Sequence, residues 1–309
     1  MAKISKIMRS LGLAIAAMIL AIACAQEPNA DNGAPDAAAT GPLISATNNW
    51  VGYGGHHVAV GKNFFSEKGL QVQDLFFQSA SEQITAFLAG RVDLGWFTSG
   101  DAVQMAAKDP SIKIIYLVDY SNGSDGILGR QIQSPADIKG KTVARENILF
   151  EKVLLRAYLE KAGLTEQDVV IKDLAAADAA AAFAARQVDA AVTYEPYLSR
   201  SAEQGGGAVI FSTKDTNLIA DVVVARDELI QSRKADLQAY FQAVDRAVKL
   251  LNAGDAEALG LVGKKLGISG EEVKEQLMGV KLFDNEGNKT VTVSIASSHP
   301  LSGPSAICP

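Results

Sequence analysis

The chain has 309 residues, 48% of them hydrophobic, and a formal net charge of −6. That length and hydrophobic share suit about two globular domains and exclude a disordered or collagen-like chain. The acidic balance argues against nucleic acid as a partner. Two cysteines (Cys24 and Cys308) and three histidines leave no disulfide framework, Cys-rich zinc module or iron–sulfur site.

The first element is a leader. Lys3, Lys6 and Arg9 precede an apolar run from Leu11 to Ala23, the pattern of a secretory signal at 1–23. The run falls short of the roughly 20 apolar residues that span a bilayer. Ala21-Ile22-Ala23-Cys24 resembles the lipobox of bacterial lipoproteins, which would make Cys24 a lipidation site. The alternative is plain cleavage at the Ala-x-Ala site Ala23-Cys24-Ala25. Either way the mature chain works outside the cytoplasm, on the periplasmic or extracellular face of the membrane. Loss of the three leader cations takes its charge from −6 to −9. Residues 24–41, with no large apolar side chain between Gln26 and Thr40, read as a flexible, lipid-anchored tether.

From Leu43 short apolar strands alternate with amphipathic helices. PLISAT predicts a strand, Gly55 to Gly69 a helix closed by Gly69, QVQDLFF a strand, Ser81 to Gly90 a helix, and VDLGWFT a strand. A helix at Asp101 to Lys108 and the strand IKIIYLVDY follow. After a Gly-rich stretch the pattern restarts with a strand at Lys141 to Glu146, a helix at Leu149 to Gly163, DVVIKDL as a strand, an Ala-rich helix at Ala175 to Arg186, and VDAAVTY as a strand. NLIADVVVA is β-patterned. Asp227 to Asn252 predicts one long helix with Leu229, Leu237, Phe241, Val244, Val248 and Leu251 on one face, and helices follow near Ala256–Leu266 and Gly270–Val280. The expected class is α/β, with mostly parallel sheets flanked by helices. Residues 86–98 (AFLAGRVDLGWFT) and 182–194 (AFAARQVDAAVTY) form a weak repeat, which fits two lobes of similar build. The expected division is lobe 1 at 42–128 and 222–309, and lobe 2 at 129–221, with a ligand cleft between them.

Six stretches in order resemble the solute-binding proteins of ABC importers in the nitrate/sulfonate/taurine family: NNWVGYGGHHVAVGKNFFSEKGLQV, QITAFLAGRVDLGW, SPADIKGKTVA, LEKAGLTEQDVVI, AAAAFAARQVDAAVTYEPYLS and LIADVVVARDELI. The resemblance runs from Trp50 to Leu282. It implies the two-lobed type II periplasmic-binding fold, shared with thiamin-pyrimidine synthases, and a monomer that captures a small anionic or zwitterionic solute by lobe closure and delivers it to a membrane permease. The family continues past LFDNEGNKTVTV with another helix; here the chain ends IASSHPLSGPSAICP, without helical periodicity from about residue 294.

Strand ends and helix starts facing the cleft supply the candidate ligand-binding residues. Trp50 and Tyr53 follow the first strand and either wall the ligand or pack a loop. Ser79 and Ser81 begin the second helix, where free N–H groups hold an anion or the serines act as plain N-caps. Ser99 and Gly100, between Thr98 and Asp101, repeat that geometry. In the second lobe, Asn147 and Phe150 open a helix after Glu146, while Tyr194 and Glu195 follow a strand. Glu195 either faces the cleft or caps the helix begun at Pro196. Asp221, in an apolar strand, needs a partner. Hydroxyls and helix starts suit an anion. Glu195, Asp221 and either Asp101 or Asp125 favour a ligand with amino or ring N–H donors, such as a taurine-like zwitterion or an aminopyrimidine. His56 and His57 are adjacent and point about 100° apart on a helix, so they do not chelate one metal together.

An enzyme on the same fold is the rival reading. Thiamin-pyrimidine synthases use a Cys-rich motif and a cofactor lysine, and a desulfinase uses a nucleophilic cysteine. Neither pattern is present, nor is a Gly-x-Ser-x-Gly elbow, a P-loop or His-Glu-x-x-His. The expectation is therefore a binding protein without catalytic residues or cofactor, closing about crossovers near Asp119–Ser134 and Thr213–Val224.

Overall fold

The computed structural model describes residues 41–290, residue 217 apart. The leader at 1–23, Cys24, the tether up to residue 40 and the terminal stretch from residue 294 lie outside the described residues. Among the described residues no helix is long and apolar enough to cross a membrane.

The first lobe opens with β1 (Leu43–Thr47), α1 (Gly54–Gly61), α2 (Phe64–Glu67), β2 (Val72–Phe76), α3 (Ala80–Leu88), β3 (Leu94–Thr98), α4 (Ser99–Lys108) and β4 (Ile112–Ser121). The second lobe holds β5 (Asp125–Gly129), β6 (Thr142–Arg145), α5 (Leu149–Glu160), β7 (Val170–Asp173), α6 (Ala176–Ala184), β8 (Ala190–Tyr194), α7 (Tyr197–Gly205) and β9 (Ala208–Ser212). The chain then returns through β10 (Ala220–Arg226), α8 (Asp227–Ser232), α9 (Lys234–Asn252), α10 (Ala256–Leu266), α11 (Gly270–Leu277) and β11 (Val280–Leu282). The two sheets run β11-β4-β10-β3-β1-β2 and β7-β6-β8-β5-β9.

Strands joined by crossover helices pair in parallel: β1 with β2 and β3, and β6 with β7 and β8. The expected parallel character stops there. β10 runs antiparallel to β3 and β4, and β5 antiparallel to β8 and β9. Each of these strands arrives from the other lobe and so enters its sheet at the cleft end, where the parallel strands finish. This also corrects the expected boundaries. A division at 128/129 falls inside β5 and one at 221/222 inside β10; the chain changes sheet between Ser121 and Asp125, and again between Ser212 and Ala220.

The strand β5 escaped prediction because Gly126 and Gly129 read as part of a Gly-rich crossover. They are close-packing positions instead. A Cβ on Gly126 would lie 3.0 Å from Leu198 and from the Phe211 carbonyl, and one on Gly129 would lie 2.7 Å from Ile210. Two expected helices are each divided. Asn63, with φ 59°, separates α1 from α2, and Arg233, with φ −124°, separates α8 from α9. Gly69 (φ 72°) does close α2, its N–H bonding to the Ser66 carbonyl. The last helix stops at Leu277, and Val280 begins β11. Residues 285–290 are helical again. Asn288 bonds both the N–H and the carbonyl of Leu117, docking this segment on β4.

The repeat is structural. Arg91 and Gln187 donate N–H bonds to the carbonyls of Ala86 and Ala182, closing α3 and α6 alike. Asp93 and Asp189 then clip the next strand: their carboxylates accept the N–H groups of Ile44 and Thr142, each at 2.8 Å. Arg226 and Arg130 lie over the rings of Phe87 and Phe183, each at 4.6 Å.

The first-lobe core forms where α9 lays Leu237, Tyr240, Phe241, Val244, Val248 and Leu251 against the sheet, a spacing of three and four residues. Leu229 sits on α8 and packs at the rim. His56 and His57 are buried in this core. His56 joins Tyr240 Oη at 2.8 Å and Asp74 at 3.2 Å, while burial, reinforced by the neighbouring His56, lowers His57 to about 3. Among the described residues no cluster of three or more His, Cys, Asp or Glu side chains is placed to hold a metal ion.

Candidate functional site

The carboxyl ends of β1, β3 and β8 and the starts of β5 and β10 meet at the seam between the lobes. They enclose a cavity of about 20 Å³, room for a single water. Its apolar walls are Trp50, Tyr53, Ala80 and Phe97 from the first lobe and Phe150 and Tyr194 from the second; Asn48, Thr98, Asp101, Asp125 and Asp221 supply the polar groups. Trp50 meets Tyr194 edge-on across the seam, with ring centroids 5.9 Å apart. Among the described residues three carboxyls line this cavity, and no lysine, arginine or histidine does.

The acids are held in low dielectric. Asp221, second residue of β10, pairs with Thr98 at the end of β3, and Asp125, first residue of β5, pairs with Tyr194 at the end of β8, so each lobe contributes one from a similar place. Burial pushes Asp125 up to about 8 against the hydrogen bond from Ser121, with the charges of Asp221 and Glu195 adding to the rise. Burial likewise pushes Asp221 up to about 7, opposed by bonds from Tyr53, whose hydroxyl donates at 2.8 Å, and from Asp119. Asp119 lies beside Asp221 in the sheet and is raised by burial and by that neighbour's charge. Trp50 Nε1 donates to Asp119 Oδ2 at 3.0 Å, while Asp119 Oδ1 is buried without a hydrogen-bond partner. Gly52 makes room for that bond, since a Cβ there would sit 2.1 Å from Asp119 Oδ2. Asp125 Oδ2 and Tyr194 Oη are buried without a hydrogen-bond partner. Each such group costs about 1–3 kcal/mol until something bonds it.

The seam is held by protein carboxylates at helix starts. Asp101 Oδ1 accepts the Leu149 N–H at 3.0 Å, and Glu146 Oε1 accepts the Ser81 N–H at 2.9 Å. Ser81 therefore presents an occupied N–H, and Ser79 is an N-cap whose hydroxyl accepts the Glu82 N–H at 3.2 Å. Ser99 and Gly100 open α4 without lining the cavity; a Cβ on Gly100 would meet Leu149 at 3.4 Å, so that glycine lies against the other lobe. Asn147 is exposed. Glu195 is also absent from the wall: its carboxylate accepts both the N–H and the hydroxyl of Ser199 and so caps α7. The structure thus brings Trp50, Tyr53, Phe150, Tyr194 and Asp221 together, and leaves Ser79, Ser81, Ser99, Gly100, Asn147 and Glu195 outside the wall.

A family model described as NMT1/THI5 like matches residues 51–258, well over half of the chain. The chain belongs to the NMT1/THI5-like family. No curated protein matches it in sequence. In fold, this NMT1/THI5-like chain is similar to the alkanesulfonate-binding protein SsuA from Xanthomonas axonopodis pv. citri bound to MOPS (19% identity, TM-score 0.67, covering 86% of this chain and 96% of that one). It is similar as well to the periplasmic nitrate-binding protein NrtA from Synechocystis PCC 6803 (13% identity, TM-score 0.66, 86% and 83%). A third likeness is to the ligand-binding component of an ABC-type import system from Staphylococcus aureus with zinc bound (14% identity, TM-score 0.66, 85% and 94%). These likenesses establish the two-lobed periplasmic-binding fold.

Sequence reasoning missed Asn48, Ala80 and Phe97 in this NMT1/THI5-like site. Asn48 had a usable signal, a polar residue directly after a buried strand. Its side chain donates to Gln83 at 2.8 Å and accepts the Trp50 N–H at 3.1 Å, which sets the loop carrying the aromatic wall. Phe97, 2% exposed, reads as an ordinary core residue of β3.

Proposed function

We propose that this chain is the extracytoplasmic solute-binding component of an ABC importer, and that its lobes close on a small solute offering N–H donors. The observation that carries the reading is the acid-lined aromatic cavity, with Asp125 Oδ2 and Tyr194 Oη unpartnered and no basic side chain on the wall. A simple anion such as nitrate finds no basic side chain on that wall to balance its charge, and any of the three carboxyls that ionises repels it. A zwitterion satisfies the acids through its amine. An aminopyrimidine fits better, because its flat ring suits Trp50, Phe150 and Tyr194 while its N–H groups face the carboxyls. The cavity is too small for such a solute, so entry requires the lobes to part and reclose, with ligand favouring the state that touches both walls. The reading includes anchorage through lipid on Cys24 and delivery, as a monomer, to a permease in the cytoplasmic membrane. It is a binding role, with no residue assigned to catalysis.

The test is a thermal-shift panel of nitrate, methanesulfonate, taurine and 4-aminopyrimidine, with calorimetry on the hits. Amine-bearing compounds are expected to stabilise, by about 2.7 kcal/mol at a hundred times the dissociation constant. Stabilisation by nitrate or methanesulfonate with none by either amine would overturn the ligand assignment. Unimpaired uptake of the identified solute in a strain lacking this protein would overturn the transport role.

A further inference from the structure

The seam carries a reciprocal arrangement that the solute reading leaves unused. α3 and α5, of nine and twelve residues, start on opposite sides of it. Their N-terminal N–H groups and dipoles would ordinarily attract an anion. Here each start is filled by a carboxylate from the opposite lobe: Glu146 on the Ser81 N–H of α3, and Asp101 on the Leu149 N–H of α5. Both acids are buried, at 2% and 3% exposure, and each is tied back into its own lobe. Asp101 accepts the Thr98 hydroxyl at 2.7 Å, while the Glu146 N–H donates to Glu151 at 2.6 Å. The helix starts adjoin the cavity, since Ala80 and Phe150 line it.

We propose that Asp101 and Glu146 are specificity-determining residues: built-in anions that fill the two helix starts facing the cavity when the lobes close, and so exclude anionic solutes. This rests on the proposed role in solute binding by lobe closure. It adds that discrimination against anions comes from two named plugs, Asp101 at the edge of the wall and Glu146 behind it, as well as from Asp125 and Asp221. Removing a plug frees one helix start and subtracts one negative charge.

The test is calorimetric titration of methanesulfonate and sulfate into wild type, Glu146→Ala, Glu146→Gln, Asp101→Ala and Asp101→Asn, each checked for fold by circular dichroism. The alanine variants are expected to bind methanesulfonate at least tenfold more tightly than wild type. The Gln and Asn variants, whose amide oxygens still accept the helix N–H, should gain far less. A merely structural role would weaken all ligands in all four variants and would create no anion binding. Wild type binding methanesulfonate as tightly as the alanine variants, or folded alanine variants that gain none, would overturn the proposal. If one alanine variant does not fold, the other reads the same prediction at the opposite helix. Parallel titration with 4-aminopyrimidine separates the two readings. No amine binding by wild type, with the anion contrast intact, refutes only the solute assignment.

Discussion

Asp125→Asn probes the central electrostatic claim, and its consequence follows from one proton. In the unfolded chain Asp125 titrates near 3.8, whereas burial in the folded chain raises it to about 8. Between pH 5 and pH 7 the unfolded state has released that proton and the folded state still holds it. Stability therefore falls as pH rises, by about 1.4 kcal/mol per pH unit for one such group, or about 2.7 kcal/mol over the two units, as an order of magnitude. Asp109, Asp137 and Asp168, held low by hydrogen bonds to neighbouring groups, carry their pH dependence at lower pH, outside this window. Other raised acids, Asp221 and Glu151 among them, contribute to the wild-type slope, so the informative quantity is the difference between variant and wild type. Urea denaturation of both proteins at pH 5, 6 and 7 measures it. Asn leaves an amide where a carboxyl stood, a penalty independent of pH, so absolute stability does not decide the question but the slope does. Asp125→Asn should flatten the decline by roughly one proton's worth. Identical slopes for the two proteins would refute the reasoning. The same variant should weaken an amine-bearing solute by roughly ten- to 150-fold, the loss of one charge-assisted hydrogen bond.

Gly52→Ala should cost about 2–5 kcal/mol in chemical denaturation, combining overpacking with loss of the Trp50–Asp119 bond; a cost under about 1 kcal/mol would mean that the loop shifts freely. Asp93→Ala and Asp189→Ala should each cost about 1–3 kcal/mol, because each strands a strand N–H; a cost at only one position would deny the equivalence of the two clips. Binding of a positively charged solute at pH 7 should release protons, since Asp125 and Asp221 must ionise to meet it. Calorimetry in phosphate and in Tris would then give different apparent enthalpies, and equal enthalpies would contradict the assignment.

The fold was legible wherever burial follows a simple period. β1, β3 and β8 are short apolar runs, and α9 shows its buried face at every third or fourth position. It was illegible where glycine serves packing instead of turning, as in β5, and where one residue divides a helical pattern, as at Asn63. The site divides along the same line. Trp50, Tyr53, Phe150, Tyr194 and Asp221 follow strands or open helices, so their place at a sheet's end can be inferred from local pattern. Glu195 has that pattern too, and only its bonds from Ser199 show where its carboxylate is spent. The clasp was out of reach, because it joins Asp101 to Leu149 and Ser81 to Glu146, pairs that local pattern does not connect.

The equivalence of the lobes explains why the cavity is acidic on both sides. Each sheet receives one strand from its partner lobe at the cleft end, and the first residues of those strands place Asp125 and Asp221 beside the ends of β8 and β3. Closure removes both from water, and a buried carboxylate without a counter-charge is strongly unfavourable. Two agents relieve it: protons, which the raised values of about 8 and about 7 show the closed form takes up readily, or a donor-bearing solute lodged between the walls. On the proposed solute-binding role, closure, protonation and solute binding are linked through the same pair of carboxyls. Above pH 8 protons no longer serve, and the solute becomes what makes the closed state favourable.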